Sequence, residues 1–323
     1  MKQNAKRYKK VRCFILSPKQ HWLHQGVNMR STLWIVFFLA VILLPGICQA
    51  GPEDSETLTS RQILTSTRGF GLANAMSASG SGTAAVWHNP AAITSAMMYS
   101  VDASYFYDHN IGGHGFETNV VDMKSNKYVG AGMGFLYQYA NPGASQHTAH
   151  LRLGLGVPLA DNLISLGVTG MYTYLKYDDQ KMVSQFSMDA GIIVRPLSWL
   201  SLAFTAQNLI TGDNANRMPR LITAGISAGS LDLGLNVMFD ASFNVSASDI
   251  AKTGAYALGV EYVLKKLVPV RIGYRYETDT HHVLAAGLGY RHQEGLFGLD
   301  LSYQHHFQNV ENDIFSASIN FYF

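Results

Sequence analysis

Three charged residues close together in the sequence could bind an anionic headgroup. Arg271 and Arg275 are four residues apart on a predicted strand, so their side chains share one face, and Glu261 lies on the preceding strand. Alternatively, the arginines and the glutamate pair with each other to satisfy a buried polar interior, which is the interpretation we favour. Under the first interpretation, Arg271, Arg275 and Glu261 are the candidate ligand contacts.

Histidines concentrate at one end of the predicted strands. Imidazole is a common metal ligand, so such a rim could bind a metal ion. The spacing matches no defined site, and we predict no metal and no cofactor. The residues at this end are His109, His114, His147, His150, His281, His282, His305 and His306, whereas His292 is at the other end.

Catalytic motifs do not stand out in the sequence. The run GLGLG lies in a strand-like context with no helix after it, so it is not a dinucleotide fingerprint. We predict that the chain is not an enzyme. The alternative is an enzyme of the kind found in the outer membrane, a β-barrel that places Ser, His and Asp near one rim.

A leader is predicted at the N-terminus. The apolar run Thr32–Ile47 precedes Cys48-Gln49-Ala50, an ending typical of a signal peptide cleaved after Ala50. The alternatives are a retained membrane anchor, lipid attachment at Cys48, and a start at Met29. Residues 1–50 thus form the first predicted segment.

Removal of the leader would change the charge balance. Eight of the 24 Lys and Arg residues lie in residues 1–50 and no Asp or Glu does, so the remainder carries 16 against 22 and is acidic. Both cysteines, Cys13 and Cys48, lie there too, which excludes thiol chemistry in the mature chain. An acidic chain without a basic cluster indicates no nucleic-acid partner.

The final strand predicts how these residues are positioned. Its apolar side chains share one parity and its small polar ones the other, as in a membrane barrel with an apolar outer face and a polar interior. The apolar set is Phe315, Ala317, Ile319, Phe321 and Phe323, and the polar set is Ser316, Ser318 and Asn320. Phe323 also resembles the assembly signal of bacterial outer-membrane barrels.

Similar alternation predicts about fourteen antiparallel transmembrane strands over residues 98–323. One of them is Leu231–Phe243, after a short turn at Gly229–Ser230. Short turns at one end and longer loops at the other, such as Lys176–Met182, are typical of outer-membrane barrels. The fold class predicted is an all-β transmembrane barrel in contact with outer-membrane lipid, with both termini periplasmic. A barrel of this size needs no second copy to close, so we predict a monomer.

Residues 51–97 lack this alternation and are rich in Gly, Ala and Ser. They include enough apolar residues to fold back and plug the lumen. Within them, TRGFGLANAMSASGSGTAAVWHNPAAITSA resembles the N-terminal signature of the FadL-type outer-membrane transporters and of the related PorV/PorQ group. The matching positions include Arg68, Gly69, Gly71, Trp87, Asn89, Pro90 and Ala91.

The resemblance implies a barrel of fourteen strands whose plug and gate contain these matching positions. A turn before the first strand is the alternative role for Asn89-Pro90-Ala91. The implied function is a channel for small hydrophobic or amphipathic compounds across the outer membrane. Because the chain is short and its loops are modest, a PorV-like scaffold or shuttle for secreted proteins is the alternative function.

Overall fold

The structure, a computed structural model, describes residues 66–109, 112–140, 145–178, 180–212, 218–230, 233–278, 282–292, 295–307 and 313–323. The predicted leader, residues 1–50, lies outside the described residues, as does the chain up to residue 65. Within these ranges, no helix has the length and hydrophobicity needed to cross a membrane.

Fourteen strands in the described part of the chain form one closed antiparallel barrel, which confirms the predicted architecture. They are β1 (Tyr99–Asp108), β2 (Gly113–Asp122), β3 (Gly130–Ala140), β4 (Gln146–Leu159), β5 (Ile164–Tyr177), β6 (Gln180–Leu197), β7 (Leu200–Gln207), β8 (Leu221–Ser230), β9 (Leu235–Asn244), β10 (Ala255–Leu264), β11 (Val268–Glu277), β12 (His282–Arg291), β13 (Phe297–His306) and β14 (Asp313–Tyr322). Consecutive strands pair, and β1 pairs with β14 from Ser100↔Tyr322 to Asp108↔Ile314. This last ladder closes the sheet, so the barrel has no free edge.

Side chains alternate between the two surfaces of the barrel. On β13, Leu299 and Leu301 are exposed, with Leu301 at 60%, whereas Asp300 and Ser302 are buried. The outward set is apolar and the inward set is polar, which is the reverse of a water-soluble barrel. This arrangement fits a wall that faces lipid outside and a polar lumen inside.

The two ends of the barrel differ in their connections. We call the end that carries Tyr99, Phe323 and the turns after β2, β4, β6, β8, β10 and β12 the turn rim, and the opposite end the loop rim. Tyr99 and Phe323 lie beside each other there, with Phe323 N donating to Tyr99 O at 2.8 Å. Both ends of the barrel sequence therefore meet at the turn rim.

Two predicted connections are wrong. The longer loop predicted at Lys176–Met182 is a tight connection, because β5 continues to Tyr177 and β6 begins at Gln180. The polar side chains there belong to strand ends that extend beyond the apolar band of the outer face. Asp178, between the two strands, has the positive φ (44°) of a turn. The turn predicted at Gly229–Ser230 lies later in the chain, because β8 extends to Ser230, residues 233–234 form a turn and β9 begins only at Leu235.

The wall changes character beside β6. This strand has 18 residues and its neighbour β7 has only 8, and their pairing runs from Ala190↔Ala206 to Leu197↔Leu200. Towards the loop rim, the residues after β7 replace the missing ladder: Asn208 N donates to Asp189 Oδ1 and Leu209 N to Met188 O, both at 2.8 Å. A side-chain carboxylate and a backbone carbonyl thus complete the wall where strand pairing stops.

Short helices precede the barrel. They are α1 (Thr67–Phe70), a 3-10 helix (Gly82–Ala84), α2 (Ala85–His88) and a second 3-10 helix (Pro90–Ser95), and another 3-10 helix (Ile250–Thr253) connects β9 to β10. Ser66 begins α1, since its Oγ accepts from Gly69 N at 2.9 Å. Asn89 caps the second 3-10 helix through Ala91 N at 3.0 Å, with Pro90 at its first position.

Leu301→Arg tests the outward face. An arginine at mid-strand in lipid is expected to lower the free energy of unfolding by about 2–4 kcal/mol, whereas Leu296→Arg, in the turn before β13, should cost about 0–1 kcal/mol. Urea unfolding in lipid vesicles measures both. Equal costs for the two variants would contradict a membrane-facing wall.

Candidate functional site

Residues 66–97, which we call the inner segment, lie inside the barrel. Near its start, Thr67 Oγ1 lies 2.8 Å from Ser316 Oγ of β14, and Gln304 of β13 donates to Phe70 O at 2.9 Å. Near its end, Thr94 Oγ1 donates to Ser165 Oγ of β5 at 2.7 Å. The inner segment therefore contacts opposite parts of the wall and crosses the lumen.

A chain of buried charges binds α1 to the wall. Arg68 donates twice to Glu261, at 2.8 and 3.0 Å, and Arg271 Nε donates to the same carboxylate at 2.5 Å. Arg271 also donates to Asp300 at 2.6 Å, and Arg291 donates to the other Asp300 oxygen at 2.9 Å. Charge-assisted bonds of this kind are strong where water is excluded, so this chain positions α1.

Asp240 of β9 binds the middle of the inner segment. Its carboxylate accepts from Met76 N at 2.9 Å, Ser77 N at 2.8 Å and Ser77 Oγ at 2.6 Å. Asp240 is 5% exposed, so these bonds lie out of contact with bulk water. The carboxylate thereby supplies a partner to two backbone N–H groups of the inner segment, of which Met76 N also donates to Asn74 O at 2.9 Å.

Trp87 of α2 binds the other side of the lumen. Its indole Nε1 donates to Asn119 of β2 at 2.7 Å, and the Arg152 guanidinium lies 4.8 Å from the ring centroid. Arg152 also forms a buried ion pair with Asp189 at 2.8 Å. The aromatic ring, the guanidinium and the carboxylate form a third polar anchor for the inner segment.

The Asn89-Pro90-Ala91 sequence lies directly against the wall. Asn89 is fully buried and donates to Ser77 O at 2.8 Å, which joins the two halves of the inner segment. Opposite it, a Cβ at Gly167 would lie 2.2 Å from the Pro90 carbonyl carbon, and one at Gly191 would lie 2.0 Å from Asn89 Oδ1. Only glycine at these inward positions permits such close contact.

Gly69 and Gly71 also lie at close contacts. A Cβ on Gly69 would be 2.7 Å from His88 Nε2, and one on Gly71 would be 3.1 Å from Gly287 Cα. The wall repeats this at Gly273, where a Cβ would be 2.3 Å from the Leu72 carbonyl carbon. The glycines of the signature therefore serve packing within the lumen.

Inside the barrel are a small cavity and, separately, an apolar side-chain cluster. A cavity of about 30 Å³ borders Asn74, Asp240 and Arg275, which is far below the roughly 300 Å³ of a small-molecule site. On β5 and β6, an apolar cluster comprises Met171, Leu175, Val183 and Met218, with Met182 packed against it. Among the described residues, this cluster contains none of the inner segment, unlike the two other apolar clusters of the lumen, which pack wall residues such as Leu136 and Met238 against that segment.

The histidines are dispersed. His150, predicted at the rim, is buried on the inner face of β4, where its Nδ1 lies 2.9 Å from Thr173 Oγ1. Inward parity places it below the rim surface. His114, His147 and His282 lie on the outer face beside tyrosines. No group of three metal-ligating side chains occurs among the described residues, and His281 lies outside them.

The structure brings most predicted site residues together and adds others. Glu261 and Arg271 are adjacent to Arg68, whereas Arg275 pairs with Glu277 at 2.8 Å nearer the loop rim. Asp240 and Arg152 were not predicted as partners of the inner segment. Inward parity alone could have identified both, since each is an inward charge that requires a partner.

Comparison with solved structures identifies similar barrels. CymD, a monoaromatic hydrocarbon channel, superposes with a TM-score of 0.61 at 14% identity over 79% of this chain and 96% of that one. The Ralstonia pickettii toluene transporter TbuX gives 0.56 at 12% identity over 78% and 97%. A Pseudomonas aeruginosa FadL homologue gives 0.55 at 14% identity over 80% and 98%.

At these identities the likeness shows the fold. The chain has a fold similar to that of FadL-type hydrocarbon channels, in agreement with the broader part of the resemblance in its sequence. The narrower resemblance to the PorV/PorQ group stays a prediction. No protein-family model and no curated protein matches the sequence.

Glu261→Gln tests the charge chain. The change removes the negative charge between two arginines, so we expect the free energy of unfolding to fall by about 3 kcal/mol, near the lower end for a broken buried pair because glutamine still accepts a hydrogen bond. A spin label at Ser81→Cys should become more mobile. Glu277→Gln is the matched control, and a label equally mobile in both variants would contradict the assignment.

Proposed function

We propose that this protein is an outer-membrane channel that admits small hydrophobic or amphipathic compounds. The observation that carries the proposal is the apolar cluster of Met171, Leu175, Val183 and Met218, which among the described residues is the apolar cluster of the lumen that does not pack against the inner segment. Methionine side chains are flexible and polarizable, so such a surface adapts to apolar ligands of different shapes. The barrels with a similar fold include a monoaromatic hydrocarbon channel and a toluene transporter.

Gating would be the role of the inner segment, as part of a plug domain over residues 51–97 before a barrel over residues 98–323. Side chains of the wall hold the segment at Arg68, Ser77 and Trp87. Contacts of this kind can break and re-form without disturbing the strand ladders of the wall. Movement of the inner segment would then open a route past the apolar cluster.

The orientation follows from the rims. We assign the turn rim to the periplasm and the loop rim to the cell surface, because outer-membrane barrels carry short turns on the periplasmic side. Phe323, exposed at the turn rim, would be available to the assembly machinery there. The closed ladder between β1 and β14 needs no second copy, so we propose a monomer.

A disulfide between the inner segment and the wall tests gating. A Cβ on Gly259 would lie 3.2 Å from Leu72 Cβ, so a shift of a few tenths of an ångström gives disulfide geometry in Leu72→Cys/Gly259→Cys. We expect oxidation to reduce toluene uptake into proteoliposomes to the level of protein-free vesicles and reductant to restore it. The two single variants are the matched controls, since neither can form the cross-link.

Equal uptake by the oxidised and reduced double variant, with the disulfide verified by mass, would show that this part of the inner segment does not move. Uptake absent even from the unmodified protein would count against a channel. Purification from outer membranes then decides the alternative: a shuttle for secreted proteins should retain a stoichiometric protein partner, and a channel should not.

A further inference from the structure

A repeated side-chain unit occupies the outer face at the loop rim. In each unit a Tyr-x-Tyr sequence near the end of one strand meets a histidine on the next, and the first tyrosine hydroxyl bonds the histidine Nδ1. The hydroxyl–Nδ1 distances are 2.8 Å for Tyr105–His114, 2.7 Å for Tyr137–His147 and 2.6 Å for Tyr274–His282. The second tyrosine of each unit, Tyr107, Tyr139 or Tyr276, contacts the same imidazole.

The three units have the same register. His114 is directly opposite Tyr107, His147 opposite Tyr139 and His282 opposite Tyr276, so each hydroxyl bond is the diagonal neighbour of a direct pair. A variant unit on β13 and β14 has Tyr303 and His305, but its imidazole pairs with Asp313 at 2.8 Å. Together these units span β11 to β14 and β1 to β4, eight contiguous strands of the closed barrel.

The units lie at a boundary. One step towards the middle of the wall, the outward residues are apolar, including Phe116 at 56% and Ile272 at 56% exposure. One step beyond are the loops. In a membrane-spanning wall this boundary is the level of the lipid headgroups, where tyrosine and histidine rings place one apolar face and one polar edge.

The two imidazole nitrogens of each histidine differ in their hydrogen bonding. In the tautomer in which the tyrosine hydroxyl donates to Nδ1, the imidazole proton lies on Nε2. Among the described residues, no hydrogen bond involves Nε2 of His114, His147 or His282. We propose that these three units form a phosphate-binding belt, in which Nε2–H donates to the phosphates of lipid A-type glycolipids in the leaflet at the loop rim.

Charge supports this choice of ligand. The residues directly opposite the three histidines are tyrosines and, for His147, also Lys176 of β5, so none of these described pairs sets a carboxylate opposite the histidine. The variant unit carries its own carboxylate at Asp313, so it is satisfied internally and is excluded from the belt. The proposal rests on membrane insertion with the loop rim at the glycolipid leaflet and is independent of transport.

Native mass spectrometry of the detergent-solubilised protein, titrated with lipid A and with dephosphorylated lipid A, tests the belt. We expect phosphate-dependent binding that weakens about fivefold for each histidine changed to phenylalanine, the ratio that one hydrogen bond of about 1 kcal/mol provides. His114→Phe/His147→Phe/His282→Phe keeps the rings and removes the donors. His292→Phe, at the turn rim, is the matched control and should bind as the unmodified protein does.

A second variant separates the donor from the ring. His114→Lys/His147→Lys/His282→Lys restores a donor without an aromatic ring and should recover lipid A binding. If the phenylalanine variant binds lipid A as tightly as the unmodified protein and the lysine variant does not, the proposal is overturned in favour of a plain aromatic belt. Equal affinity of the unmodified protein for the two forms of lipid A would also overturn it.

Discussion

A wall that faces lipid must satisfy every backbone N–H and C=O within the protein, because hydrocarbon offers no partner. The fourteen strands meet this constraint by pairing each with its neighbours and closing through β1 and β14. Because the sheet is closed, alternate positions of every strand face either lipid or the lumen. The positions that face lipid must carry apolar side chains. Where the β6–β7 ladder stops, Asp189 and the backbone of Met188 supply the missing partners, so the constraint is met there by a different chemistry.

The alternation of side chains also places charged residues inside the barrel, where the inner segment provides partners for some of them. Inward charges such as Glu261, Arg271 and Asp300 are buried, and a buried charge without a partner is costly. Some of these charges pair within the wall, and others bind the inner segment. The wall and the inner segment therefore stabilise each other: the segment has little regular structure of its own, and the lumen supplies hydrogen-bond partners that its backbone lacks.

The sequence predicted the barrel well because its signal repeats. Alternation over fourteen segments, with turns between them, specifies strands and their two faces, and the direct register of Glu261 with Arg271 follows from adjacent strands of known parity. The inner segment was harder, since residues without a period give no register against the wall. Asp240 could be recognised as an inward charge, but not as the partner of Ser77, 163 residues away. The connection after Tyr177 was missed because polar strand ends near a rim resemble loops.

One contact has a consequence for how the molecule is made. Thr67 bonds Ser316 across a separation of 249 residues, so one of the earliest described residues to be synthesised finds its partner on the last strand. Contacts of such long range carry a high entropic cost and form late in folding. Until β14 is in place, α1 lacks part of its binding surface. The seat of the inner segment is therefore complete only in a barrel that already contains its last strand.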